Sequence, residues 1–264
     1  MNPIIKKFIY LVPLAGFLGA CDNIDMADRY IEAGDVMVAR KVLLEEFTGQ
    51  LCTNCPDAQR AVHSLEQQYG DNLIAVSIHA GRGTFGIPAP YGLMQEEGEI
   101  YAQQWGIGSV LPLGVVDRTI GPMYYEDFAA AVREEIGKTT LLELSLESQL
   151  SEDGSEIEVF TTLVSPSALN GNLQLWVIES NIVDMQIDNG KVLNDYVHNN
   201  VFRACVNGQW GENIPLEGNV VKYVSNTIPL DEIWEPENLA IVGFYYNGNG
   251  VVQVERCQVV TGNE

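Results

Sequence analysis

Basic residues are scarce in this chain: 14 Lys and Arg stand against 36 Asp and Glu, a formal charge of −22 over 264 residues. A surface of that sign repels nucleic acid and anionic lipid headgroups, which counts against a nucleic-acid partner. Histidine is scarcer still, with three in the chain. There is no second Cys-x-x-Cys and no His pair at ligand spacing. A four-ligand zinc site therefore lacks its other half, and neither a metal nor a cofactor is expected. Glycine (25) and proline (11) are spread without a repeat, which excludes collagen-like and disordered classes. Long apolar runs are missing as well: the stretch Phe8–Leu18 is too short to span a bilayer. What is present is 46% hydrophobic residues, enough at this length for one large domain or two ordinary ones with real cores.

The first residues carry an address. Lys6 and Lys7 precede the apolar run, and small residues follow it, the pattern of a secretory signal peptide over residues 1–20. Leu18-Gly19-Ala20-Cys21 resembles a bacterial lipobox. That resemblance implies cleavage before Cys21, lipidation of its thiol and acylation of the new amino group, and so membrane attachment through a lipid anchor. Residues 21–37 then read as a lipidated, acidic tether. Four cysteines remain, Cys52, Cys55, Cys205 and Cys257. The extracytoplasmic setting permits disulfides, while spacing alone leaves their connectivity open.

Residues 38–138 alternate strand and helix signals. "VARKVLLEEF" is a strand candidate; Ala58, Ala61, Val62, Leu65 and Tyr69 then form one helical face, with Gly70 placed to end it. "NLIAVSIHAG" reads as a buried parallel strand. A Gly/Pro-rich loop, a helix candidate over "LMQEEGEIYAQQWG" and a short strand opened by Pro112 come next. A last helix has Phe128, Val132 and Ile136 on one face. After Lys138 the period changes to two: Leu142, Leu144, Leu146, Ser148 and Leu150 alternate with polar residues. "EIEVFTTLV" follows an Asp153-Gly154 turn, and further strand candidates are "NLQLWVIES", "NVFRACVNG", "NVVKYVSNTI", "NLAIVGFYYN" and "GVVQVERCQVV". Seven short strands with no helical periodicity predict an all-β sandwich, Ig-like, over residues 139–264. A separate α/β domain is expected over residues 38–138.

The motif Cys52-Thr53-Asn54-Cys55 sits at a strand-to-helix junction. The positive end of a helix favours thiolate over thiol, and a second cysteine one turn in can resolve a mixed disulfide. Asp57 complements the dipole, and Pro56 is tolerated where early N–H groups lack partners. Two readings stay open for the pair, a redox dithiol and a persistent structural staple.

With the strand order, residues 38–138 resemble the thioredoxin fold. The resemblance implies that Cys52 is the nucleophile, Cys55 the resolving thiol, and Pro112 the family's cis-proline that orients substrate. The chain departs from the family in having Leu51 where tryptophan is common and a longer loop after Ala80. His79, at the end of its strand, shares the sheet edge with Cys52, so a proton-handling role stands beside that of a hydrogen-bonded rim residue. His63 is isolated, and His198 falls in a loop. Cys205 and Cys257 both fall in strand candidates, where a disulfide between them and two free thiols are alternatives. Cys205 is opposite in parity to Phe202, Ala204 and Val206, which would turn it outward.

"LLEEFTGQLCTNCPDA", "AVSIHAG", "LPLGVVDR" and "VHNNVFRACVNGQWGE" together resemble the outer-membrane lipoprotein family called Omp-twenty-eight-related, over about Val42 to Val260. The resemblance implies a thioredoxin-like domain plus a C-terminal β-sandwich and a place in the cell envelope at the outer membrane, with surface exposure in some members described as adhesins. Two functions follow as expectations. One is an envelope thiol–disulfide oxidoreductase acting on disulfide clients. The other is a non-catalytic surface binding protein or adhesin that uses the thioredoxin-like unit as scaffold and binds envelope or surface proteins.

Overall fold

The computed structural model describes residues 37–262. The expected signal peptide, the lipidation at Cys21 and all but the last residue of the tether lie outside the described residues. Strands β1 (Val38–Ala39) and β2 (Val42–Thr48) lead into α1 (Cys55–Tyr69) and β3 (Leu73–His79). Next come α2 (Glu96–Gln104), β4 (Leu113–Val116), β5 (Ile120–Met123) and α3 (Phe128–Glu135). The rest is strand: β6 (Thr139–Thr140), β7 (Glu143–Leu150), β8 (Glu156–Val164), β9 (Asn172–Glu179), β10 (Ile182–Asp188), β11 (Lys191–His198), β12 (Val201–Cys205), β13 (Glu212–Asn213), β14 (Lys222–Pro229), β15 (Leu239–Asn247) and β16 (Gly250–Gln258). The chain is β-rich, as expected of its second half.

The helix α1 begins and ends where the apolar spacing and Gly70 predict; Gly70 takes φ +53°, open to glycine without strain. Strand β7 buries every second residue, as its period of two requires. Its inward leucines meet β9 and β15 across a sandwich core that includes Leu144, Leu146, Val159, Leu175, Val177 and Ile241. Gly243 of β15 makes that approach possible, because a Cβ there would lie 2.9 Å from the side chains of both Leu146 and Leu175.

Two apolar clusters each keep to one side of the expected division near residue 139, one with Val42 and Phe128 and one with Leu144 and Ile241. A third cluster and one sheet cross it. One nine-stranded sheet runs in the order β16-β15-β9-β12-β3-β2-β4-β5, with β13 beside β9. Strand β12 pairs in parallel with β3, so strands from both halves share one hydrogen-bonded layer. Leu43, Phe47 and Ile78 from the first half pack in one cluster with Trp176, Phe202 and Phe244 from the second. Helices α1 and α3 cover the other face of β2 and β3, through Val42, Leu44, Ala58, Leu65 and Phe128. The reason is burial. In a sheet covered on both faces an open edge strand leaves backbone groups unpaired, and β12 supplies the pairing that β3 needs.

The turn between β4 and β5 bolts the halves together. Asp117 and Arg118 both have positive φ (49° and 57°), a conformation that aims Arg118 back across the sheet. Asp117 accepts the Leu43 N–H at 2.8 Å on its carboxylate, and its carbonyl accepts the Val251 N–H at 2.9 Å. The Arg118 guanidinium pairs with Glu45 at 3.1 Å and lies 4.6 Å from the ring centroids of Phe244 and Tyr246. A cation held against aromatic faces is attracted by their quadrupoles, which helps to keep this buried charge.

Candidate functional site

The site grows out of the end of β2. Gly49 follows Thr48, and a Cβ there would come within 2.7 Å of the Phe85 carbonyl oxygen, so the chain can pass only as glycine. The Cys52 N–H donates to the Gly49 carbonyl at 3.0 Å, and Leu51 N–H to the Phe85 carbonyl at 2.9 Å. This turn delivers Cys52 to the N-terminus of α1, whose first residue is Cys55 and whose Pro56 lies where no N–H is needed. Cys52 and Cys55 form a disulfide with Cα atoms 5.4 Å apart. Leu111 joins both sulfurs in the central apolar cluster, and the Leu111–Pro112 peptide is cis. Pro112 directly precedes β4, whose Leu113 is in register with Phe47 of β2. The structure therefore brings Cys52, Cys55 and the Pro112 segment to one end of the sheet.

Neither cysteine is open to solvent. Cys52 is 2% exposed and Cys55 fully buried. Both cysteines pack in the central apolar cluster, and a hairpin of β10 and β11 that pairs with no other described strand docks on their loop. Its tip lies on the cysteine loop through main-chain bonds: Ile187 N–H to the Gln50 carbonyl at 2.8 Å and Asn189 N–H to the Thr53 carbonyl at 3.1 Å. Gly190 N–H adds a bond to Thr53 Oγ1 at 2.8 Å. Gln186, fully buried, donates from Nε2 to the carbonyls of Gly49 (3.2 Å) and Cys52 (3.1 Å). Gln50 answers from the other side, donating to Asp184 Oδ2 at 2.9 Å and to the Met185 carbonyl.

Glu46, Ser77, His79 and His198 are a second set of buried polar residues, on β2, β3 and β11. Glu46 is fully buried on the β2 face that also presents Val42 and Leu44 to α1. Its oxygens lack a partner of full hydrogen-bond geometry. Burial pushes its carboxyl up to about 7, and the nearby Ser77 and Thr48 hydroxyls only partly offset this. His79, level with Thr48 in the β2–β3 pairing, is 1% exposed, with neither ring nitrogen hydrogen-bonded. It is therefore no rim residue. Burial, then the neighbouring His198 and Arg203, hold it well below the usual histidine range, so it is neutral. His198 closes β11 rather than lying in a loop. It meets His79 edge-on, ring centroids 5.4 Å apart, and burial lowers it to about 4.

Cys205 and Cys257 do not pair. Both thiols are free, on strands β12 and β16 that are separated by β9 and β15. Cys205 does not face outward either. The pairing of β12 with β9 shifts register between Phe202 and Ala204, a bulge that turns Phe202 and Cys205 to the same side. The Tyr101 hydroxyl lies 3.1 Å from Cys205 Sγ, and Ser148 Oγ 3.3 Å from Cys257 Sγ. Burial pushes Cys205 up to about 11, where it is an inert thiol. Among the described residues no group of three or more His, Cys, Asp or Glu is placed to hold a metal ion. None of the described helices is long and apolar enough to cross a membrane.

Sequence reasoning missed Glu46, Gln186 and the hairpin that carries Gln186. A signal for the hairpin was present: Asn189-Gly190 between apolar-rich flanks is a strong two-residue turn. Glu46 gives none, because a carboxylate inside an apolar strand does not announce that it will be buried.

A family model described as "Outer membrane protein Omp28" matches residues 99–263, so the cysteine pair lies ahead of the matched segment. Among solved structures, HBP35 of Porphyromonas gingivalis is similar with a TM-score of 0.69 at 15% identity, covering 86% of this chain and 78% of that one. At that identity the likeness is one of fold. A domain of the outer membrane lipoprotein Omp28 from Porphyromonas gingivalis is 20% identical over 46% of this chain and 88% of that one, with a TM-score of 0.33. No curated protein matches this chain. The family match spans well over half of the sequence and gives the location: the chain belongs to the Omp28 family of outer membrane proteins.

Proposed function

We propose that this outer membrane protein is an envelope thiol–disulfide oxidoreductase whose first half is thioredoxin-like. The strand order β3-β2-β4-β5, with β2 and β3 parallel and β4 and β5 antiparallel to their neighbours, supports that topology. The observation that carries the activity is the Cys52–Cys55 disulfide at the N-terminus of α1, reached by a strand that holds the buried carboxyl of Glu46.

A client thiolate attacks Cys52 Sγ, the Cys52–Cys55 bond breaks, and Cys55 leaves as thiolate and takes a proton from Glu46. A second client thiolate attacks the client sulfur of the mixed disulfide and releases Cys52. The client dithiol is oxidised to a disulfide and the protein's disulfide is reduced to a dithiol. Run in reverse, the reduced protein opens a client disulfide, and an envelope dithiol reductant then restores it. The clients are envelope or surface proteins. Attachment to the membrane through lipidated Cys21 keeps the site among them.

The burial of Cys52 favours a second reading, a non-catalytic surface binding protein in which the disulfide is a staple. The deciding experiment incubates the purified full chain with a disulfide-bonded peptide and dithiothreitol. Faster peptide reduction, abolished by Cys52→Ser, supports the oxidoreductase. No acceleration by the wild-type protein with its pair shown to be reduced supports the binding protein.

A further inference from the structure

We propose that the β10–β11 hairpin is a lid that must lift from the cysteine loop before a client of peptide size can reach Cys52. The proposal rests on the oxidoreductase reading and adds its regulation. In-line attack needs a clear path to Sγ of Cys52, which is 2% exposed and whose own carbonyl, with those of Gln50 and Thr53, is bonded to this element. Three features make the hairpin a separate moving part. It shares no strand pairing with either sheet, and an isolated two-stranded hairpin is marginal without docking. Its main-chain docking bonds lie toward the tip, on Gln50, Cys52 and Thr53, while Tyr196 Oη reaches α1 from β11, donating to Gln59 Oε1 at 2.5 Å. Nearer its base a cleft of about 400 Å³ opens between β11 and α1, lined by Gln59, Arg60, His63, Tyr196 and Asn199 with Ser77 among its walls.

The stem has hinges. Asn181 before β10 and Asn200 after β11 both sit at positive φ (59° and 54°). They are tied across the base, Asn181 N–H donating to Asn199 Oδ1 at 3.1 Å and Asn200 N–H to Ser180 Oγ at 3.0 Å. Hinges are a few element-terminal residues that absorb backbone rotation, and these flank the whole hairpin. The lid takes the main-chain acceptors of the cysteine loop, the carbonyls of Gln50, Cys52 and Thr53. An extended client segment brings the same chemistry, backbone N–H donors, so client and lid compete for one set of bonds.

The test uses the full chain, reduced, as wild type and as Gln186→Met, which keeps the side chain's length and removes its bonds to Gly49 and Cys52. Cys52 is labelled with iodoacetamide, a small reagent, and with a maleimide carrying a long polyethylene glycol chain. The expected result is about a tenfold gain in the rate of the bulky reagent in the variant, with the small reagent changed much less. Equal bulky-reagent rates in wild type and variant overturn the lid. Hydrogen exchange on the wild type guards against a variant that misfolds. The amides of Ile187, Asn189 and Gly190 should exchange at least about a hundredfold faster than those of β9, and protection equal to β9 overturns the lid. Reduction of a disulfide-bonded peptide separates the two readings. A lid that opens over a pair that never exchanges leaves the lid and removes the oxidoreductase. Turnover at the same rate in wild type and Gln186→Met leaves the oxidoreductase and removes the lid.

Discussion

Ser77 donates its backbone N–H to the carbonyl of Asn200 at 2.8 Å, at the seam where β3 meets β12 in parallel. Asn200 is also the residue at which the lid hairpin ends and β12 begins. The seam that makes one sheet of the two halves is therefore the base on which the hairpin docked on the cysteine loop stands.

A shared layer implies shared stability. The full chain is expected to unfold in one cooperative transition, because the central cluster draws Leu43 and Phe47 from one half and Trp176 and Phe244 from the other. Residues 37–138 and 139–264 expressed separately should each expose apolar surface and fail to give a cooperative thermal melt. Two independent folded pieces by circular dichroism would show that the seam is incidental.

Arg118→Met should destabilise the chain by about 3–5 kcal/mol, since it leaves Glu45, fully buried, without its partner. Adding Glu45→Leu should recover most of that loss, because two apolar groups of similar size need no pairing. Urea denaturation of the single and double variants measures this. A single variant as stable as wild type would mean that the pair is solvated after all.

The buried acid and the buried histidine act in opposite directions with pH. With its carboxyl near 7 rather than the ordinary 4.5, folded Glu46 keeps a proton that the unfolded chain has lost, so its share of stability falls as pH rises from about 4.5 to about 7. His198, near 4 rather than 6.5, is protonated first in the unfolded chain, so its share is lost as pH falls from about 6.5 to about 4. Glu46→Gln should remove the falling share, so that the stability of the variant relative to wild type rises with pH through this window. Urea midpoints at stepped pH decide this; an unchanged profile in the variant rejects a shifted Glu46.

Cys55→Ser should leave Cys52 able to attack but unable to be released, and so accumulate a mixed disulfide with a peptide disulfide, visible by mass spectrometry under non-reducing conditions. Glu46→Gln should slow the release step in the Cys55-containing protein while leaving that trapping unaffected. Trapping at Cys55 in a Cys52→Ser variant, with none at Cys52, would reverse the assigned roles.

Much of the local structure is legible in the residues. The face Ala58, Val62, Leu65 and the stop at Gly70 mark α1, the alternation from Leu142 to Leu150 marks β7, and the two cysteines lie at the junction where their spacing places them. Two reversals came from a bulge and from a hairpin of which only the Asn189-Gly190 turn is marked in the sequence. The bulge around Arg203 undoes a parity argument about Cys205, since one extra residue flips every side chain beyond it. The hairpin of β10 and β11 carries polar residues on its inner face, Asp184, Gln186 and His198, because what it covers is backbone, and so it reads as a loop.

The amino-acid sequence by itself determined elements such as α1 and β7, the change of period after Lys138 and the place of Cys52 and Cys55 at a strand-to-helix junction. Those depend on residues within a turn or two of one another. The tertiary structure decided that the halves form one sheet, that Glu46 is buried and that the cysteine pair is buried. Each of these joins residues from separate elements, through backbone groups or through burial. Backbone donors and acceptors are the same at every position, so no residue type marks which of them will meet.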